Sequence, residues 1–288
     1  MSVTPVLVDR GEGRAELVLP PGPLPTPDDV RGLLVAAFGA PDLRCVVAYV
    51  AVDAWPVRRL LHELGFAGDG VLRGWLPDGA DAWTGTLLRG EPPAPRRPWP
   101  VVPELAAEGL LLRPWRATDV PRIVEGCADR DTQAWLGQMP SPYTEESARA
   151  WLHQVEERLA AGTAVNWAVV DPADPADPDG SPVLGSVGWF GLVEGVDCEI
   201  GYWVHPDARG RRVATRALRA VAAHAFATLD VRRVRACAAA GNAASRRVIE
   251  ACGFTQYGVD PLGAWTRAGR EPLALYDLAA PWAGAAAD

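Results

Sequence analysis

Six of the thirteen residues in the segment 91–103 (EPPAPRRPWPVVP) are proline. Proline fixes φ and lacks an N–H, so this segment can form neither a helix nor a central strand. It reads as an extended, semi-rigid spacer that leaves about 90 residues before it and about 185 after it. The 288-residue chain is long enough for two domains, each with its own core. The reading is a first domain over 1–90, a linker over 91–105 and a second domain over 106–282. A further irregular stretch, DPADPADPDGSP from Asp171, lies inside the larger part. Its aspartates faintly match a calcium loop, but prolines interrupt them and the distal glutamate is missing. A surface hairpin loop is the favoured reading.

Apolar residues make up 49% of the chain and charged residues 22%, an ordinary globular balance. The longest apolar run, CVVAYVAV, falls far short of the ~20 residues a membrane helix needs. The opening MSVTPVLVDRGEGR lacks a basic start and an apolar stretch, so no secretory signal is expected. These features predict a cytoplasmic protein with no membrane partner. A net charge of −8 argues against a nucleic-acid binder. All 28 basic residues are arginine, which with the abundant Ala, Gly and Pro reads as the mark of a GC-rich genome. The five cysteines (Cys45, Cys127, Cys198, Cys237, Cys252) are odd in number and form no CxxC pair. Free thiols and no metal site are expected.

In the larger part, 110–114 reads as a short strand. Helical spacing runs over 117–131 behind Thr118-Asp119, with Pro121 in the first turn. Thr144-Glu145-Glu146-Ser147 opens a second helix running to about Ala161. Strands follow at 166–170, 183–193 and 198–204, then a long Ala/Leu/Val helix over 212–228. A strand at 231–239, a helix at 243–252 stopped by Gly253, and strands near 254–257 and 273–278 close the pattern. This order predicts an α/β domain with a mixed sheet.

The strand CEIGYWV runs into HPDARGRRVATRAL, an arginine-rich turn that feeds a helix. Such a turn points backbone N–H groups and a helix dipole at one spot, where a phosphate can sit. With LLLRPWRATDVPRIVE, MPSPYTEESARAWL and NAASRRVIEACGF, in that order and spacing, residues 108–280 resemble the GNAT acetyltransferase superfamily. The likeness is to its ribosomal-protein-alanine-acetyltransferase branch. It implies a mixed-sheet GNAT fold, acetyl-CoA as cosubstrate and a primary amine as acceptor, either a protein N-terminus or a small molecule. The family's pyrophosphate loop falls on Arg209, Gly210, Arg211, Arg212, Val213 and Ala214, with Arg212 where glycine is usual. A side chain there costs roughly 1 kcal/mol or more if φ is positive, and fits if φ is negative.

Acetyl transfer to an amine needs a base, a donor for the developing oxyanion and a hydrogen-bond donor for the leaving sulfur. Glu199 is the candidate base, sharing one strand face with Gly201 and Trp203. A backbone N–H near Val204 is the candidate oxyanion donor. The resemblance places the family's Asn on Asn242 and its hydroxyl on Ser245, which serves as the candidate partner of the departing sulfur. Many members carry a tyrosine seven positions after that Asn; this chain has Ile249. Trp135, Tyr143 and Trp189 fall where the family builds its acceptor pocket. His205 reads as a surface residue closing the strand. No cysteine stands where an acyl-enzyme would need it, though Cys237 lies on the strand that should flank pantetheine. Direct transfer in a ternary complex is expected. The alternatives are a small-amine (antibiotic) acetyltransferase and a non-catalytic acyl-CoA-binding or regulatory protein.

Offset by 188 positions, residues 27–66 match residues 215–254 without gaps at 12 of 40 positions, most clearly VRRLLHELGF against SRRVIEACGF. The first part therefore resembles the carboxyl half of a second GNAT domain: helix, strand, helix and a hairpin near 71–88. PPGPLPTP stands where the arginine turn should be, Ala54 replaces Asn242, and Val57 replaces Ser245. Prolines offer no N–H to a phosphate, so this copy is read as degenerate and non-catalytic. Its apolar segments 33–38 and 45–52 must be buried. Packing against the larger domain is favoured over packing on a second subunit, with monomer and homodimer both left open.

Overall fold

A computed structural model describes residues 4–174 and 182–280. Most of the aspartate-proline stretch that begins at Asp171 lies outside the described residues. The chain divides into two compact units, Met1–Trp99 and Pro100–Asp288.

In the first unit β1 (Val6–Gly11) and β2 (Arg14–Val18) form a hairpin, followed by α1 (Pro27–Phe38), β3 (Cys45–Ala51) and α2 (Trp55–Glu63). β4 (Ala67–Leu72) and β5 (Ala82–Leu88) complete a sheet of order β1-β2-β3-β5-β4. Only β2 and β3 run parallel, and they pair at three positions, from Arg14↔Cys45 to Glu16↔Val47. Val30, Leu34, Val46, Leu61, Leu64 and Leu87 form the core. Arg58 is buried in this unit. Its guanidinium lies over Trp55 (4.1 Å) and Trp83 (5.1 Å), and Nη1 donates to the Val52 carbonyl (2.7 Å). The opening hairpin is an element the sequence reading did not contain.

Residues 91–99 pack against this unit instead of running free. Arg31 Nε donates to the Pro93 carbonyl (3.0 Å), and the His62 ring meets the Arg97 carbonyl (2.7 Å) and the Trp99 ring. Gly65 makes the close approach possible: a Cβ there would lie 2.7 Å from the carbonyl oxygens of Pro92 and Ala94. The following residues belong to the second unit, where the Pro103 carbonyl accepts from Trp167 Nε1 (2.7 Å).

The second unit contains, in order, β6 (Leu105–Ala107), β7 (Leu110–Arg113), α3 (Val120–Ala128), α4 (Arg130–Trp135), α5 (Glu145–Ala161), β8 (Ala164–Val170), β9 (Val183–Val193), β10 (Asp197–Val204), α6 (Val213–Thr228), β11 (Arg233–Ala239), α7 (Ala243–Ala251), β12 (Thr255–Thr266) and β13 (Gly269–Ala279). The sheet order is β12-β13-β11-β10-β9-β8-β7-β6, antiparallel except between β10 and β11. This is the α/β mixed-sheet fold expected.

α6 buries Val213, Ala214, Ala217, Leu218, Val221, Ala222 and Ala225, a stripe at helical spacing that lies over β9 and β10. α3 and α5 cover the opposite face through Val120, Ile123, Cys127 and Ala148. The single helix expected over 117–131 is broken. Arg113 and Asp119, both buried, form a two-point ion pair (2.7 and 2.8 Å) that fixes the entry to α3. Asp129 then leaves helical geometry (ψ 133) and caps α4 by accepting from the Thr132 N–H (2.8 Å). β12 and β13 are one long hairpin, longer than expected, in which 260–264 forms a bulge. Among the described residues no helix is long and apolar enough to cross a membrane.

All five cysteines are free. Burial pushes the thiols of Cys127 and Cys237 up to about 12 and that of Cys198 up to about 11, from an ordinary value of 9.0. The folded chain thus keeps protons that the unfolded chain loses, so this stability is complete below about pH 9 and is lost as pH rises through 11–12. Thermal melts at pH 8 and pH 10.5 should show a lower midpoint at the higher pH. Cys127→Ala should narrow the gap.

Candidate active site

β10 pairs with β9 up to Val204↔Gly185 but with β11 at only three positions, ending at Glu199↔Arg235. Both strands continue, β10 to Val204 and β11 to Ala239, so above Glu199 they part. The His205 N–H donates to the Leu184 carbonyl on β9 (2.9 Å). Alternation along the strand then turns the N–H groups of Val204 and Tyr202 toward the open side. The candidate oxyanion donor at Val204 therefore faces the gap.

At the top of β10 the chain makes a short turn (Pro206–Ala208), crosses the arginine loop and enters α6. His205 is buried, not on the surface as its sequence position implied. Its Nδ1 lies 2.7 Å from Asp207, whose carboxylate accepts from Arg122 of α3 (2.9 and 3.1 Å), which anchors the turn to α3. Gly210 (φ 78) and Arg212 (φ 57) are both left-handed. A Cβ at Gly210 would meet nothing within 4 Å, so glycine serves conformation there and not space. Arg212 adopts the glycine geometry with a side chain attached, so the costly alternative is the one realised. Arg216 braces the loop by donating to the carbonyls of Arg211 (3.1 Å) and Glu108 (2.8 Å).

No side chain caps α6, and its first turn holds no acidic residue. Its leading N–H groups and the positive end of its dipole are left for an anion. α1, which follows the equivalent strand in the first unit, has the opposite chemistry. Thr26 and Asp29 form a capping box there, with Asp28 and Asp29 in the first turn. That helix end is already satisfied and repels a phosphate.

The arginines of the loop divide their work. Arg209 is bound to Asp129, Thr132 Oγ1 (2.9 Å) and Asp131 (3.4 Å), tying the loop to the cap of α4. Burial tends to raise the Asp129 carboxyl, but the bonds from Arg209 and Thr132 outweigh it and hold the group below the usual range. Arg211 pairs with Asp171 (3.2 Å). The side chain of Arg212 is exposed.

Glu199 stands at the vertex where the strands part, its side chain 21% exposed. Oε2 pairs with Arg235 Nη1 (3.2 Å), and Oε1 accepts from the Cys237 thiol (3.1 Å). Arg235 is also bound to the buried Asp197 (3.2 Å), which fixes the guanidinium beside Glu199. Burial first, and the Glu199 carboxylate second, push the Cys237 thiol up to about 12. Cys237 is therefore a neutral thiol at pH 7 and a poor acyl acceptor. Asn242 and Ser245 meet at the start of α7, where Asn242 Oδ1 caps the helix by accepting from the Ser245 N–H (3.1 Å). The Ser245 hydroxyl lies 2.9 Å from that of Tyr202, which strand alternation puts on the face opposite Glu199.

Two of the three expected acceptor aromatics are not at the cleft. Trp189 pairs with Ile200, and both belong to the core that packs under α6, on the face opposite Glu199. Tyr143 is buried between α3 and α5, where its hydroxyl bonds the Cys127 thiol. Trp135 is half-buried and packs on the backbone of Gly241, just before Asn242. The aromatic that does share the Glu199 position is Phe190, its partner on β9 and 39% exposed. A Cβ on Gly201 would sit 3.1 Å from the Phe190 ring, so glycine lets the ring cross the strand. The signal for Phe190 was strand alternation: of two adjacent aromatics only one could face Glu199.

The parted strands, the uncapped helix and the left-handed loop form one candidate site on a mixed sheet. A family model described as the acetyltransferase (GNAT) domain matches residues 109–255, just over half of the chain. The chain belongs to the GNAT acetyltransferase family. It is 38% identical over 80 residues to YdaF of Bacillus subtilis strain 168, assigned as a ribosomal N-acetyltransferase. That match spans 28% of this chain and 44% of YdaF, less than half of that relative's length. It is 28% identical over 160 residues to YjcK of the same organism, assigned as an N-acetyltransferase, spanning 54% of this chain and 85% of YjcK. Among solved structures, RimJ of Mycobacterium smegmatis in complex with a CoA disulfide shares the fold. It has 21% identity and a TM-score of 0.54, with 63% of this chain and 88% of that one covered.

Replacing Arg212 by Gly should relieve the left-handed strain of roughly 1–2 kcal/mol, less the ~0.5–1 kcal/mol that a more flexible unfolded chain returns. A gain of about 0.5–1 kcal/mol in urea unfolding is expected. A loss of stability would show that the guanidinium holds the loop.

Proposed function

We propose that the chain is an acetyl-CoA-dependent N-acetyltransferase that moves the acetyl group directly to a primary amine. The observation that carries the reading is the uncapped, acid-free start of α6, fed by a left-handed arginine loop and set beside an unpaired strand edge. Acetyl-CoA supplies a pyrophosphate for that helix end, an activated acyl carbon and a thiol leaving group. The residues present fit such a donor: N–H groups over 210–214 for the pyrophosphate, and the open edge of β10 for the pantetheine amides.

The chain's own groups supply the rest. An amine in neutral water is an ammonium and must lose a proton before it can attack. Glu199, ionic partner of Arg235 and partly exposed at the vertex, takes that proton directly or through water. The Val204 N–H, turned into the gap, receives the oxyanion that develops on the thioester. Ser245, at the first turn of α7, addresses the sulfur. Phe190 and Trp135 flank the approach of the acceptor. The name of YdaF supports a protein N-terminus as the acceptor class, ahead of a small amine. Free cysteines with raised thiols support a reducing compartment, the cytoplasm, and a transfer without an acyl-enzyme. We read residues 1–90 as a non-catalytic partial GNAT domain. Its strands follow the order seen in β9–β13, yet its helix end is capped and Ala54 and Val57 replace the Asn and Ser.

Thiol release from acetyl-CoA against a panel of N-terminal peptides and small amines tests the activity. Binding of CoA without release to any amine would leave only an acyl-CoA-binding protein. Glu199→Gln should lower turnover several-hundred-fold at neutral pH, within the usual ~10²–10⁴-fold range for a general base, with partial recovery as pH rises and free amine accumulates. Wild-type turnover would return Glu199 to a purely structural ion pair. By calorimetry, Arg211→Ala combined with Arg212→Ala should weaken acetyl-CoA binding while leaving the KM for the acceptor nearly unchanged. An unchanged donor affinity would remove the side chains, though not the backbone, from the phosphate site.

A further inference from the structure

Above the vertex, β10 and β11 share no backbone pairing, and Tyr202 ties β10 to α7, the helix that follows β11. This residue lies on the open stretch of β10, with its side chain on the α6 and α7 face beside Ile200 and Val204. Its hydroxyl is 2.9 Å from Ser245 Oγ and 3.1 Å from the Ser245 carbonyl oxygen, on the helix that follows β11. The Ser245 N–H is held separately by Asn242 Oδ1 (3.1 Å). One turn further along α7 stands Ile249, buried and without a polar atom. The phenol that meets Ser245 therefore comes from the strand and not from the helix.

We propose that Tyr202 is a positioning residue for the transfer: it holds the Ser245 hydroxyl across the gap and frees its proton for the departing sulfur. This rests on the acetyl-transfer reading given above. The two hydroxyls have one proton each. When the phenol donates to the Ser245 carbonyl, Oγ–H donates to the phenol oxygen and is parked. When the phenol donates to Oγ instead, the serine proton is released to point elsewhere. Burial pushes the phenol well above its ordinary range, with the bond to Ser245 opposing, so it remains a donor throughout the working pH.

The step balances as follows. The ammonium first gives one proton to Glu199, which passes it to solvent; the neutral nitrogen then forms the C–N bond and its second proton goes to Glu199. The C–S bond breaks and its electron pair leaves on sulfur as a thiolate. The Ser245 hydroxyl gives that thiolate a hydrogen bond and not its proton, since an alkoxide is far more basic than a thiolate. Solvent protonates the thiolate after release.

The test is a double-mutant cycle in the full-length protein with Tyr202→Phe, Ser245→Ala and the pair. A hydrogen bond to a charged group is worth roughly ten- to a hundredfold in rate. Each single variant should lose about that much kcat, with the KM for acetyl-CoA within twofold of wild type. The double variant should be no slower than Ser245→Ala alone. An acetyl thioester of a more acidic thiol, which needs less help in leaving, should recover most of the loss in all three. Multiplicative losses would overturn the proposal, and so would a Tyr202→Phe effect confined to KM or to the melting temperature. If Tyr202→Phe does not fold, Ser245→Ala decides by itself, because wild-type kcat in that variant ends the role assigned to the pair. Absence of thiol release from the wild type with any amine would instead defeat the acetyl-transfer reading.

Discussion

The site depends on a parallel strand pair that stays together for only three residues. Where β10 and β11 part after Glu199, main-chain donors and acceptors that a sheet would normally satisfy are left facing one another across a gap. An extended ligand with its own amides can complete them. Each neighbouring feature takes its meaning from that opening. Glu199 lies at its vertex, Val204 on one arm, Ser245 beyond the other, and the arginine loop at its mouth. β9 on one flank and β13 on the other pair along nearly the full length of the arms, so the opening is held rigidly.

The two units of the chain show how little of this is topology. Both run strand, helix, strand, helix and hairpin, with one parallel pair of three positions in an otherwise antiparallel sheet. The difference is at the helix that follows the first of those strands. α1 begins with Thr26, Asp28 and Asp29, which occupy its N–H groups and place negative charge at its positive end. α6 begins with Val213, Ala214 and Thr215 behind a left-handed Arg212, and has no cap. A few side chains thus decide whether the same turn of backbone leaves its helix end open or closes on itself.

Arg209 links the arginine loop to the start of α4. It is bound to Asp129 and Thr132, the residues that end α3 and start α4, and α4 carries Trp135. That helix is held from its other end by the β12–β13 hairpin, through Gly137 N–H to the Trp265 carbonyl (2.9 Å) and Arg267 N–H to the Ala134 carbonyl (3.0 Å). The loop, the short helix and the hairpin tip are therefore one connected frame around the cleft.

Local chemistry decided much of this structure before any tertiary contact. Thr144 and Gly162 bound α5 where a cap and a left-handed stop belong, and the alternation of CEIGYWV set Glu199, Gly201 and Trp203 on one face. The HPDARGRR turn marked the loop that enters α6, because glycine and helix-start chemistry act over a few residues. Other features required distant parts of the chain to meet. The break at Asp129 depends on Arg209, 80 residues away, and the bulged β12 on its pairing with β13. The sign of φ at Arg212 could not be read from a residue type that tolerates both. Trp189 and Tyr143 looked like pocket residues because sequence position gives neither the face they occupy nor the partner that covers them. Phe190 and Tyr202 gained their places only when β9 and α7 were set beside β10. What is periodic and local was legible in the sequence; which groups face one another across the gap was decided by long-range strand pairing and packing.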